Sequence, residues 1–179
     1  MKKKFLYYLD LKFVNFSFLK WFLSDKDSNN CIFLTSNLEV KNYLLRNKFK
    51  CYFLRENKSF LFNLCKFYYY FNNTKISITH KKNIFELKFT NLIMIFLCFF
   101  IKILNFKKII LIAKNYINFN KKFYSKLEKF KFHKIFLLSG SYNLSVHKLL
   151  NFSKKNFIES HLTFPNWDTL TTKSPILTM

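Results

Sequence analysis

An α/β fold built on a parallel sheet, present in partial form and flanked by an N-terminal extension and an extended C-terminal tail, is what this 179-residue sequence predicts. Three observations lead there. Ile109–Ala113 (IILIA) is a continuous apolar run of strand length, the kind buried on both faces of a parallel sheet. Phe119, Phe123, Leu127 and Phe130 follow at spacings of four, four and three, which place them on one helical stripe. Ile135–Leu138 (IFLL) is a further strand, so strands and helices alternate, as right-handed βαβ crossovers require.

Taken in order, Lys4–Phe22 mixes Phe, Leu and Tyr with Lys and reads as an amphipathic helix or a surface-hugging arm. Ser24–Asn30 (SDKDSNN) is polar and aperiodic, which makes it a linker. Cys31–Leu34 has strand length, and within Asn37–Arg46 the residues Leu38, Tyr43, Leu44 and Leu45 fall at helical spacing. Lys50–Leu54 reads as another strand, Phe60–Tyr70 as an aromatic run of ambiguous type, and Asn72, Asn73 and Thr74 as a turn. Ile84–Leu87 is strand-like, and Asn91 caps a helix running to about Leu104.

After the strand at Ile109–Ala113, the helix over Asn118–Phe130 turns Lys121, Lys122, Lys126 and Lys129 outward. Beyond Ser139 and Gly140 a shorter helix spans Leu144–Phe152. The end of the chain, HLTFPNWDTLTTKSPILTM, carries two prolines and many threonines and is expected to be extended, with Ile176 and Leu177 ordered only where a neighbour covers them. The expected division is an extension over 1–75 with room for a small α/β unit, a core over 76–152 and a tail over 153–179. No period of 20 to 50 residues repeats, which excludes a solenoid.

Charge is the strongest compositional statement. The chain has 31 Lys and Arg against 9 Asp and Glu, a formal net charge of +22, yet 50% of it is hydrophobic and 21% aromatic, enough for a packed core. Gly140, Ala113, Pro165, Pro175, Arg46 and Arg55 are the sole representatives of their four residue types, all with GC-rich codons. That pattern marks an AT-rich genome, as organelles commonly have. Such a bias replaces Arg by Lys but does not set cations so far above anions. A polyanionic partner accounts for the excess, because phosphates neutralise the self-repulsion of a compact cationic chain.

Several function classes are excluded by what the sequence lacks. A single glycine cannot build GxGxxG or a P-loop, and the nine carboxylates form no catalytic pair; Glu86 and Glu128 are read as surface groups, and Asp168 beside Trp167 as a turn residue after Pro165 and Asn166. An enzyme is therefore not expected. Cys31, Cys51, Cys65 and Cys98 include no CxxC, and His80, His133, His147 and His161 are dispersed, so neither a metal nor a cofactor is expected; Cys98 is read as a packed core thiol. No membrane span is expected either. Phe89–Ile101 runs thirteen residues without a charge before Lys102 closes it. As a helix it would cover about 20 Å of a hydrocarbon core about 30 Å thick. The opening MKKKFLYYL resembles a signal peptide until Asp10 and Lys12 interrupt it, and it lacks the composition of a transit peptide, so an uncleaved organelle-made protein is expected.

Three blocks between Asn83 and Asn143 resemble the small-subunit ribosomal protein two family of bacteria and organelles. Ile84-Phe85-Glu86-Leu87-Lys88-Phe89-Thr90 is similar to the family's strand that ends in Asn-Leu or Asp-Leu and is soon followed by Thr. Ile109-Ile110-Leu111-Ile112-Ala113-Lys114-Asn115 is similar to its Ile-Leu-Phe-Val-Gly-Thr-Lys strand. Leu137-Leu138-Ser139-Gly140-Ser141-Tyr142-Asn143 resembles its Trp-Leu-Gly-Gly turn leading to Leu-Thr-Asn, with Ser139 in place of one glycine. The family continues with a helical hairpin and further strands, whereas 36 residues follow Asn143. The expectation is either a truncated copy or a separate polypeptide that completes the sheet.

The resemblance implies a Rossmann-like core over 76–152 and the role of a structural constituent of the mitochondrial small ribosomal subunit, binding ribosomal RNA and neighbouring ribosomal proteins. The candidate RNA contacts are then the clustered lysines: Lys2, Lys3 and Lys4, Lys81 with Lys82, Lys107 with Lys108, Lys121 with Lys122, and Lys154 with Lys155. Each is a point charge suited to phosphate and blind to base sequence. Tyr68, Tyr69 and Tyr70 have rings that stack on unpaired bases, but they are read as packing against protein. Two other classes compete: an accessory subunit of an organelle inner-membrane respiratory or ATP-synthesising complex held by Phe89–Ile101, and a nucleic-acid enzyme with diverged motifs.

Overall fold

The structure is a computed structural model that describes residues 3–10, 16–55, 59–72, 93, 96–100, 112, 114–139 and 143–163. The chain divides into two compact units, one formed by Met1–Asn57 with Phe119–Pro165, the other by Lys58–Asn118 with Asn166–Met179.

The first unit is an α/β domain with a five-stranded sheet. Its elements are β1 (Lys4–Asp10), α1 (Phe16–Ser24), β2 (Cys31–Thr35), α2 (Leu38–Arg46) and β3 (Lys50–Phe53), then α4 (Lys121–Glu128), β4 (Phe132–Ser139), α5 (Leu144–Lys155) and β5 (Glu159–Thr163). The sheet order is β3-β2-β1-β4-β5 and every neighbouring pair is parallel. These are the first five positions of the doubly wound order, a Rossmann-like sheet in partial form.

Central position explains composition. In β1 the run Leu6, Tyr7, Tyr8 and Leu9 is buried on both faces, and all five residues of β2 are buried. One face, through Tyr7, Leu9, Cys31, Phe33 and Cys51, packs on Leu19 and Leu23 of α1 and Val40 and Leu44 of α2. Stacked rings cross this face from strand to strand, with Phe33 and Tyr7 5.2 Å apart and Tyr7 and Phe136 5.0 Å apart. The other face carries Leu6, Tyr8, Ile135 and Leu137, all buried, and α4 and α5 contribute Leu127, Val146, Leu149 and Phe152 to the core. Burial pushes the Tyr7 hydroxyl up to about 12, with Cys31 adding to the shift, and the Cys51 thiol likewise up to about 12.

Asparagine is the helix starter here. Asn37, Asn120 and Asn143 each take the N-cap position, and their side-chain oxygens accept from the backbone of Val40, Phe123 and Val146. α2, α4 and α5 return to their strands through left-handed residues: Lys48 (φ 62°), Lys131 (φ 48°) and Phe157 (φ 55°).

Several sequence expectations change. Lys4–Asp10, expected as helix or arm, is the central strand, because its five consecutive apolar and aromatic residues suit burial on two faces better than a one-sided helical stripe. The stretch 1–75 thereby supplies three of the five strands, whereas 76–152 supplies β4 with its flanking α4 and α5 among the described residues. In the expected tail over 153–179, α5 continues to Lys155 and Glu159–Thr163 forms the edge strand β5. Ile112, expected within a buried strand, is helical and 55% exposed.

The second unit holds α3 (Phe60–Asn72), opened by Ser59, whose hydroxyl accepts from the Phe62 amide at 3.2 Å. Asn72, expected in a turn, closes this helix. Cys65 and Cys98 are buried and desolvation lifts both thiols to about 11, so Cys98 is the packed thiol its sequence context indicates. Residues 96–100 of the expected helix to Leu104 are helical, while the strand expected at Ile84–Leu87 lies outside the described residues. Among the described residues no helix is long and apolar enough to cross a membrane.

Candidate nucleic-acid interface

Parallel strands begin at one end of a sheet, so cations at their first residues are gathered there whatever their separation in sequence. Lys4 opens β1 and Lys50 opens β3. Both ammonium groups sit over the ring of Phe130, at 5.6 and 4.6 Å from its centroid. Phe130 lies in the turn from α4 to β4 and packs against Tyr52 of β3, whose ring carries the ammonium of Lys126 at 4.1 Å. Tyr52 also meets Phe123 edge-on, so rings from β3, α4 and the turn after α4 form the floor and three lysines from three elements stand on it.

Cation–π contact orients an ammonium without neutralising it. Among the described residues the ion pairs are Glu159 with Lys134 and with His161, both at 2.8 Å, and neither involves Lys4, Lys50 or Lys126. Two like charges over one ring repel each other. An anion bridging them would relieve that repulsion.

The opposite end of the sheet is built from different chemistry. Asp10 closes β1, directly beside Ser139 at the end of β4. Its carboxylate accepts from the hydroxyls of Ser36 and Ser139, both at 3.1 Å, and from Nδ2 of Asn143 at 2.6 Å. Asn143 also donates to the Tyr8 hydroxyl at 3.2 Å, while its oxygen caps α5. In doubly wound sheets the crevice between β1 and β4 is where ligands settle. Here a carboxylate bridges it, and negative charge at that point opposes a phosphate.

The sequence-derived lysines divide between these surroundings. Lys3 is exposed and Lys4 half-buried at the start of β1; Lys154 and Lys155 are exposed in the last turn of α5, where they also complement the helix dipole. Lys121 and Lys122 are exposed in the first turn of α4, one helix length from the α4–β4 turn. Lys2, Lys81, Lys82, Lys107 and Lys108 lie outside the described residues, as do Tyr142 and Gly140. Lys50 and Lys126 were not among the sequence candidates for RNA contact. The signal that finds Lys50 is a cation at the first position of an expected strand.

Among the described residues no three His, Cys, Asp or Glu side chains converge to hold a metal ion. Comparison with family models, curated proteins and solved structures found no match to this chain.

Proposed function

We propose that the chain is a structural constituent of the mitochondrial small ribosomal subunit that binds ribosomal RNA and neighbouring ribosomal proteins. The observation that carries this reading is the group of lysines at the amino end of the sheet, Lys4, Lys50 and Lys126, which have no carboxylate partner among the described residues, in a chain of net charge +22. Cations oriented over aromatic rings and left to solvent suit the phosphate backbone, which supplies most of the affinity in such complexes. The AT-biased composition is in keeping with an organelle-encoded chain, and the sequence blocks that resemble the ribosomal family support this choice of assembly.

The test is sedimentation of the tagged chain from organelle lysate. Co-migration with the small subunit through a gradient at moderate salt is the expected result. Recovery in a different complex overturns the reading, and so does retention in the membrane after alkaline carbonate extraction, the behaviour of an inner-membrane accessory subunit.

A further inference from the structure

The turn between α5 and β5 holds a residue that the fold alone does not explain. The turns at Lys48 and Phe157 are the same Schellman arrangement. Phe49 donates to Leu44 and Lys48 to Leu45 in one; Ile158 donates to Ser153 and Phe157 to Lys154 in the other. In both, the preceding asparagine folds back, Asn47 Nδ2 onto the Tyr43 carbonyl and Asn156 Nδ2 onto the Phe152 carbonyl, each at 2.9 Å. The left-handed position favours glycine, then asparagine, and a chain poor in glycine is rich in asparagine. Phe157 takes that position instead, with 97% of its surface exposed. A bulky side chain with positive φ and no packing inside its own fold marks a contact made outside it.

What surrounds it indicates the class of that contact. Lys154 and Lys155 precede Phe157 and are exposed. Beside the same turn lies a cavity of about 260 Å³, walled by Leu127, Phe132, Phe152 and Ile158. Its rim is polar and carries Glu128, Lys131 and Asn156. The two amide hydrogens of Asn156 are engaged by the Tyr124 hydroxyl and the Phe152 carbonyl, so its Oδ1 remains as an acceptor, beside the Lys131 donor. The chemistry is a slot with apolar side chains in its walls and a presented surface more polar than apolar, an exposed ring next to it, and Lys131 on its margin beside Glu128. This is the combination that takes single-stranded nucleic acid, in which bases stack on aromatic rings and phosphates meet lysines.

The geometry points to a binding site for a single-stranded stretch of RNA at the α5–β5 turn: one unpaired base occupies the cavity, a neighbouring base stacks on Phe157, and their phosphates meet Lys131, Lys154 and Lys155. This rests on the ribosomal reading and specifies where unpaired, rather than helical, RNA is held. A polypeptide partner on Phe157 is the competing occupant, and the flanking cations favour RNA over it.

The experiment uses the full chain with a fluorescein-labelled single-stranded RNA oligonucleotide at fixed salt. Phe157→Gly removes the ring and gives the left-handed position its preferred residue, so thermal stability stays equal or rises and lost binding cannot be ascribed to unfolding. Affinity is expected to fall about tenfold, the scale of one stacked base, with an unchanged salt slope. Phe157→Trp is expected to retain binding. A 4-thiouridine oligonucleotide is expected to crosslink within Phe152–Ile158. Unchanged affinity in Phe157→Gly overturns this site while leaving the ribosomal reading intact. Absence of RNA binding by the unsubstituted chain overturns the ribosomal reading itself. Loss of a neighbouring ribosomal protein from particles containing Phe157→Gly, with RNA affinity unchanged, assigns the ring to a polypeptide and overturns the site.

Discussion

At the carboxyl end of the sheet, Asp10 collects hydrogen bonds from Ser36, Ser139 and Asn143, so its charge has donors within the fold. At the amino end, Lys4 and Lys50 share one phenylalanine ring and Lys126 stands over a tyrosine, none with a carboxylate in reach among the described residues. One end is a closed network that fixes strands β1, β2 and β4 against α5. The other is an open electrostatic surface. The contrast teaches where to look for function in this sheet. The crevice that holds ligands in related architectures is spent on structure, and the end usually left to turns carries the unneutralised charge.

The largest way to break this contrast is Asp10→Ala, which leaves two hydroxyls and an amide without their acceptor in a half-buried place. Urea unfolding is expected to lose about 3 kcal/mol, the scale of hydrogen bonds to a charged group, while RNA affinity of the folded chain stays constant. A loss below 1 kcal/mol would erase the distinction between the two ends. Next in size is Lys4→Gln with Lys50→Gln and Lys126→Gln. Unfolding free energy is expected to move by about 0.5 kcal/mol or less. Filter binding is expected to show roughly thirtyfold weaker RNA binding at low salt, and a slope of log affinity against log salt shallower by about 2.

A smaller effect of opposite sign is expected from Lys48→Gly, which relieves the left-handed φ of 62° in the α2–β3 turn. The urea midpoint should rise by the equivalent of about 1 kcal/mol without a change in slope. The smallest effect concerns Glu159, whose carboxyl is held below its ordinary 4.5 first by the hydrogen bond from Lys134 and then by the charges of Lys134 and His161. Because the folded value is the lower one, the stabilisation is present above pH 4.5 and disappears as pH falls through the depressed value. An NMR titration of the Glu159 carboxyl should show a midpoint below 4.5 that returns toward it in Lys134→Gln. The pair is exposed, so the influence on stability is slight.

The legible parts of the sequence were those whose pattern matched one element without ambiguity. Cys31–Leu34 and Asn37–Arg46 were read from a short apolar run and a helical stripe, and Ile135–Leu138 and a shorter helix over Leu144–Phe152 likewise, each falling within the element the structure forms apart from the cap at Asn37. β1 was obscured because its Phe5-Leu6-Tyr7-Tyr8-Leu9 run directly follows three lysines, which suggested an amphipathic arm. β5 was obscured because ESHLT alternates polar and half-buried positions, as an edge strand does, and reads as tail. α3 is apolar or aromatic at all positions but Asn63, Lys66 and Asn72, too few polar residues to give the period that tells helix from strand. The interface inherited the first of these errors. Lys154 and Lys155 were visible as a pair, but Lys4 and Lys50 meet at Phe130 only through a sheet order that requires β1 to be a strand.

The placement of β1 between β2 and β4 also sets a schedule. Asp10 and Ser139 are 129 residues apart, and the chain between them includes the whole stretch Lys58–Asn118 of the second unit. During synthesis the first strand therefore emerges on the order of ten seconds before the partner for its second edge. For that interval Leu6–Leu9 presents an unsatisfied, oily ribbon to whatever is nearby. A nascent chain of this design needs a chaperone or an early docking surface at the ribosome exit, and its yield should depend on how soon one is met.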